Sequence, residues 1–143
     1  MEQTMSNLPV LLNVFRKKIM ENQIKYIEQF GLSKQHIHYF IVLWNHKDGL
    51  TQKEIVEYAH FDKAHASRAL KDLLENDMIT KDDHKGYKNK YFLSQKGLEI
   101  AEKMKSRNQK IIENVFSILS DEEQEQMQRI LKKLTDHMSD LDA

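Results

Sequence analysis

The stretch that most constrains this chain is residues 51–79, TQKEIVEYAHFDKAHASRALKDLLENDMI. Thr51 and Glu54 stand at the spacing of a capping box, in which each side chain satisfies an orphan backbone donor at a helix start. A helix therefore begins there, with Ile55, Val56 and Ala59 as a narrow inward stripe. His60-Phe61-Asp62 fits a turn in which Phe61 is buried and Asp62 caps a second helix starting at about Lys63. At about 100° per residue, Ala66, Leu70 and Leu73 of that second helix share one sector, flanked by Ala69 and Leu74. This sector packs against the first helix.

The opposite face of the second helix carries Ala64, Arg68 and Lys71 near its centre, Lys63 at its start, and His65 and Ser67 on either side. Those residues are small, hydrogen-bonding or cationic. A DNA major groove asks for this set: an arginine for guanine, hydroxyl or imidazole groups for base edges and phosphates, and a small residue for close approach to a thymine methyl. An ordinary solvated helix face has a similar composition, and the segment after the helix separates the two readings. Residues 79–93, ITKDDHKGYKNKYFL, hold two short β-prone runs around a polar segment with Gly86, a hairpin signal. Lys85, Lys88 and Lys90 lie near its tip. A helix pair followed by a basic hairpin is a winged helix-turn-helix, whose wing lies along phosphates beside the groove. Thr51 and Gln52, at the start of the first helix, are expected at the same backbone.

The succession LTQKEIVEYAHFDKAHASRALKDLLENDMITK, a basic wing and then YFLSQKG resembles the MarR family of transcription regulators. Leu93-Ser94-Gln95-Lys96-Gly97 stands where that family closes its wing with Leu-Thr-x-x-Gly. The resemblance covers nearly the whole chain, because the family also has long flanking helices at both ends. It departs in the wing, where an Asp-x-Arg-Arg type motif is usual and this chain has a shorter segment with lysines only. Lysine is a compact, strongly hydrated charge and fits a narrow minor groove less well than arginine, so phosphate contact is the role carried over.

The 143 residues, 40% of them hydrophobic, suit one domain able to bury roughly two-thirds of its unfolded surface. With no Cys, the chain has no disulfide, no thiolate metal site and no cysteine-based oxidant sensing. The longest apolar run, Tyr39 to Trp44, is far short of the roughly 20 residues that span a bilayer. The N-terminus lacks a basic-then-apolar signal pattern, and a cytoplasmic protein without membrane contact is expected. Net charge is zero, although phosphate neutralisation supplies much of the affinity of DNA-binding proteins. The charge is polarised, however. Lys85, Lys88, Lys90 and Lys96 occur between His84 and Lys96 with no acid, and Arg16-Lys17-Lys18 forms a second basic cluster. From Asp121 onward, seven acids (Asp121, Glu122, Glu123, Glu125, Asp136, Asp140, Asp142) face Arg129, Lys132 and Lys133.

Leu8, Leu11, Leu12, Phe15, Ile19, Ile27 and Phe30 give residues 5–30 a helical period, with Pro9 expected in the first turn and Gly31 ending the helix. Ser33 caps the next helix, in which Ile37, Phe40, Ile41, Leu43 and Trp44 pack all round and mark the core. Asp48-Gly49 is a turn. Ser94 caps a helix running to about Leu119, and Ser120 with Glu123 is a second capping box. The helix it opens carries Met127, Ile130, Leu131, Leu134, Met138 and Leu141 as a stripe. These terminal helices have more apolar surface than a small winged helix can cover. A second copy of the chain, or an intramolecular bundle, absorbs the surplus. The expected fold is mainly α with a small β-hairpin wing, as one domain over residues 1–143. Residues 33–94 form the winged helix-turn-helix, and residues 1–32 and 95–143 the helices of a dimerisation region.

No Gly-rich phosphate loop, Gly-x-Ser-x-Gly elbow or His-Glu-x-x-His helix is present, so no catalytic residue is assigned and no cofactor is implied. His36 and His38 are two apart on one helix and point away from each other, so no metal ligand is assigned. The expected function is a homodimeric repressor that binds double-stranded DNA at an inverted repeat. The resemblance implies release by a small aromatic or phenolic effector, for which Tyr26, Tyr39, Phe40 and Trp44 are the available lining. A zinc-responsive regulator of the same type, and a winged-helix protein-interaction module without DNA binding, are the alternatives. The outward face of residues 63–71, with cations and no acid or large apolar residue, favours nucleic acid over a hydrophobic partner.

Overall fold

The computed structural model describes residues 2–83 and 89–141. Its elements run α1 (Glu2–Glu28), α2 (Lys34–Trp44), β1 (Leu50–Thr51), α3 (Gln52–Ala59), α4 (Lys63–Glu75), β2 (Ile79–Lys81), β3 (Lys90–Leu93), α5 (Gln95–Phe116) and α6 (Asp121–Leu141). This is the mainly helical winged fold that the sequence predicts. Among the described residues, no helix is long and apolar enough to cross a membrane. The chain forms two compact units, residues 1–108 and 109–143.

The first unit holds the core, an uninterrupted cluster from Ile27 on α1 through Ile37, Tyr39, Phe40 and Leu43 on α2 to Ile100 and Met104 on α5. Ile55 of α3 and Ala66, Leu70 and Leu73 of α4 are at most 2% exposed within it. Full burial of each leucine or isoleucine side chain stabilises the fold by about 1.5–3 kcal/mol. The helix starts follow from their caps. The Thr51 hydroxyl accepts from the Glu54 N–H at 3.3 Å, and an Asp62 carboxylate oxygen accepts from the His65 N–H at 2.7 Å. Of the Thr51–Glu54 box, the bond that forms is the one from the Glu54 N–H to the Thr51 hydroxyl, and Thr51 is also the last residue of β1. Gly31, at φ +75°, turns the chain out of α1, a conformation open to a residue without Cβ.

In the sheet, β3 lies between β1 and β2 and is antiparallel to both. Lys81 pairs with Tyr91 on one side of β3 and Leu50 pairs with Tyr91 on the other, so the wing is hydrogen-bonded to the strand that leads directly into α3. In the second unit, the Ser120–Glu123 box forms in both directions, with the Ser120 N–H donating to Glu123 at 3.0 Å and the Glu123 N–H to the Ser120 hydroxyl at 3.2 Å. Those bonds from Ser120 hold the exposed Glu123 carboxyl below its usual pKa. No described residue of this unit is buried.

Three sequence expectations are corrected. Pro9 lies inside α1 rather than in its first turn, since the helix already runs from Glu2; Pro9 then has no N–H for the residue four back. Ile41 is 44% exposed and is not core, because α2 buries His36, Ile37, Tyr39, Phe40, Val42 and Leu43 and leaves the Ile41 side outward. The last helix before α6 stops at Phe116, and the chain turns through Ser117 to Leu119 on bonds to Asn114 and Phe116.

The close of the wing depends on Gly97. A Cβ there would stand 2.0 Å from the Met78 carbonyl oxygen, so α5 crosses the backbone before β2 with no room for a side chain. Ser94 fixes the same junction: its N–H donates to the Met78 carbonyl at 3.0 Å, its hydroxyl donates to the Asp77 carbonyl at 2.6 Å, and the hydroxyl oxygen accepts from the Gly97 N–H at 3.0 Å. Gly97→Ala is expected to destabilise the protein by about 1–3 kcal/mol through overpacking against rigid backbone, despite the better helix propensity of alanine. Chemical denaturation checks this, and an unchanged or higher midpoint would show that the junction yields.

Candidate nucleic-acid interface

The face of α4 that its apolar sector leaves outward displays Lys63, Ala64, Ser67, Arg68 and Lys71, all exposed. The Arg68 side chain makes no hydrogen bond or ion pair with the described residues, so all its guanidinium donors are available. Lys71 stands 3.9 Å from Glu75, an exposed helix pair that holds the ammonium only weakly. Gln52, the first residue of α3, donates from Nε2 to the Ser67 hydroxyl oxygen at 2.7 Å, joining the two helices across their outer edge.

Beside α4 lies an open cleft of about 650 Å³ between the start of α3 and the wing strands. The structure brings together there Thr51, Gln52 and Lys63, three of the residues expected from sequence, with Lys53 and Lys81, which were not. Tyr91 and Val56 supply its apolar lining and Glu57 its acid. Local spacing gives no hint of Lys53 and Lys81, since they reach one cleft only after the helix pair has folded and β2 has paired. Lys90 is exposed on β3. Lys85 and Lys88 lie outside the described residues.

His65 departs from the outward role expected of it. Its ring is half-buried, stacked on Phe61 with centroids 4.1 Å apart, and its Nδ1 hydrogen-bonds the Tyr39 hydroxyl at 2.7 Å. The helical position of His65 is at the edge of the face, and the aromatic stack of Phe61 and Tyr39 draws the imidazole inward. Tyr39 and Phe40 are core residues, at most 1% exposed. Tyr26 and Trp44 remain half-buried, with Arg107 over the first ring at 5.0 Å and Lys47 over the second at 4.4 Å.

A second tie behind α4 has no counterpart in the sequence reading. His36, 4% exposed, accepts the Ser33 backbone N–H on Nδ1 at 3.0 Å. A backbone N–H can only donate, so the imidazole proton is on Nε2, which donates to Asp72 of α4 at 3.1 Å. The same side chain therefore completes the start of α2 and anchors the middle of α4. His38 instead packs edge-on against Phe61. Among the described residues, no three His, Asp or Glu side chains assemble as metal ligands.

A polar, cationic helix seated on an apolar helix pair, with a strand-built wing at its flank, is the arrangement of a winged helix-turn-helix DNA-binding protein. No family model matches the chain. The HTH-type transcriptional regulator BilQ of Clostridium symbiosum (strain WAL-14163) is 30% identical over 98 residues, 67% of this chain and 68% of the relative. A MarR family protein from Bacillus stearothermophilus has a similar structure at TM-score 0.80 and 19% identity, covering 97% of this chain and 98% of that one. MepR, a transcription regulator of the Staphylococcus aureus multidrug efflux pump MepA, follows at TM-score 0.75 and 23% identity, covering 92% and 98%. A mutant form of MepR, solved bound to an oligodeoxyribonucleotide, gives TM-score 0.68 at 22% identity over 91% and 96%. The chain belongs to the MarR family of winged helix-turn-helix transcriptional regulators, a class of DNA-binding and not catalytic proteins.

Burial chiefly, with the nearby Asp62 carboxylate adding and Arg68 opposing, pushes the Tyr39 hydroxyl from the ordinary 10.0 up to about 12. Folded Tyr39 thus keeps its proton where an unfolded tyrosine loses it. Its contribution to stability is complete below pH 10 and is lost as pH rises towards 12. Denaturation midpoints followed from about pH 9 to about pH 12 should fall more steeply for the natural protein than for Tyr39→Phe. Equal slopes would mean that the phenol titrates normally.

Proposed function

We propose that the protein is a homodimeric repressor that reads an inverted-repeat operator, each protomer laying α4 in a major groove and its wing along the adjacent phosphates. The observation that carries this reading is the outward face of α4, where Arg68, Ser67 and Ala64 stand exposed over a helix whose other side is fully buried. Arg68 is the base-reading residue, matched to the two acceptors of guanine. Lys63 and Lys71, with Thr51, Gln52, Lys85, Lys88 and Lys90 expected from sequence, serve the backbone. Lys53 and Lys81 extend that set along the cleft. His65 acts by holding α4 through Tyr39 and is not itself a contact.

Pairing of protomers is supported by apolar surface that neither unit covers. Leu8, Val10, Leu11, Leu12 and Val14 of α1 are 47–62% exposed, and Ile130, Leu131, Leu134, Met138 and Leu141 of α6 are 47–70% exposed. Contiguous apolar helix faces of this kind are partner surfaces, and two-fold pairing is the commonest arrangement of identical chains. Residues 1–32 and 95–143 are the dimerisation helices and 33–94 the DNA-binding region in this reading. The protein acts in the cytoplasm, and a small aromatic or phenolic effector releases it.

Arg68→Ala should weaken binding to the operator by about 1–3 kcal/mol and change binding to random DNA little. Lys63→Ala should weaken both and lower the salt slope by roughly one unit for each phosphate that the lysine neutralises. Titrations at several salt concentrations separate the two. Normal operator binding by Arg68→Ala, or equal weakening on both DNAs, would remove α4 as the reading element.

A further inference from the structure

We propose that Gln52 sets the hydrogen-bond polarity of Ser67, so that the Ser67 hydroxyl meets the duplex as a donor only and selects against cytosine at one position of the half-site. The proposal rests on the DNA-reading role of α4 and adds to it a specificity-determining pair. A serine hydroxyl has one proton and two acceptor sites, and by itself it accepts either kind of partner. Here one acceptor site is filled. Gln52 Nε2 donates to the Ser67 oxygen at 2.7 Å, from the first residue of α3 to the fifth of α4.

The hydroxyl proton is uncommitted. A serine or threonine within a helix commonly donates to the carbonyl four residues back. Thr135 and Ser139 of α6 do this, to Leu131 at 2.8 Å and to Thr135 at 3.1 Å. Among the described residues, the Ser67 hydroxyl makes no hydrogen bond other than that from Gln52, so its proton is left for a group outside the chain. Ser67 is exposed, beside Arg68 and in the half of the helix whose side chains reach base edges in a major groove. With its oxygen occupied from the Gln52 side, Ser67 presents its O–H outward. Guanine N7 and O6, thymine O4 and adenine N7 accept such a bond in the major groove. Cytosine offers only the N4 amino donors there, which oppose it.

Selection from random duplex DNA, with sequencing of the bound fraction, tests the pair in the full-length protein. The natural protein should disfavour cytosine at one strand position of each half-site, and Ser67→Ala should flatten the preference there by roughly 3- to 10-fold. Gln52→Ala should flatten the same position, and the double substitution should do no more than either alone. The decisive variant is Gln52→Glu. A carboxylate accepts only, so it takes the Ser67 proton and turns the hydroxyl oxygen outward as an acceptor. Preference at that position should then move towards cytosine or adenine, whose amino groups donate. All these substitutions suit their helices, alanine by propensity and glutamate by the favourable field at a helix N-terminus. The proposal is overturned if Ser67→Ala and Gln52→Ala alter different positions, if both weaken operator and random DNA equally with no change of preference, or if Gln52→Glu behaves as Gln52→Ala. If the natural protein selects no sequence at all, the DNA-reading role itself fails and this pair falls with it.

Discussion

Everything displayed on the outward face of α4 depends on how firmly its inward face is seated. Ala66, Ala69, Leu70 and Leu73 are all buried in the one core that α4 shares with α2 and α3. The apolar contact alone leaves a short helix able to rotate or slide a little, because dispersion and burial are not directional. The polar ties remove that freedom. His36 to Asp72 fixes the middle of α4, Tyr39 to His65 its first turns, and Gln52 to Ser67 its outer edge. Each runs to a different element position, two on α2 and one on α3.

The wing is coupled to the same helix pair by covalent adjacency. Thr51 closes β1, pairs with Lys90 of β3 and caps α3, so one residue belongs to the sheet and to the helix-turn-helix at once. Gly97 and Ser94 lock the other end of β3 onto the Met78 carbonyl. The wing strands and α4 are thereby held in one rigid piece of structure, which is what simultaneous contact with a groove and its neighbouring phosphates demands.

Much of this is legible in the sequence because it is written locally. The caps at Thr51, Asp62 and Ser120, the turn at Gly31 and the helical periods of α4 and α6 each follow from residues within a few positions of one another. The limits of that reading are equally physical. β1 has two residues, too few to carry an alternation signal, and is a strand only because β3 lies beside it. His36 and Asp72 are 36 residues apart, and no local rule relates them. His65 sits at the boundary of the outward sector, where a helical wheel cannot decide what Phe61 and Tyr39 decide. Lys53 and Lys81 become neighbours of Lys63 only through tertiary folding. The terminal stripes read correctly as surplus apolar surface, since α6 buries none of its residues within the chain.

The central claim is that two paired chains read DNA with two symmetrically placed copies of α4. Hydroxyl-radical footprinting on DNA recovered by selection tests it most directly. The account predicts two protected tracts related by two-fold symmetry, their centres about one helical turn (~34 Å) or a multiple apart, with two chains bound per site. A single asymmetric tract occupied by one chain would contradict it.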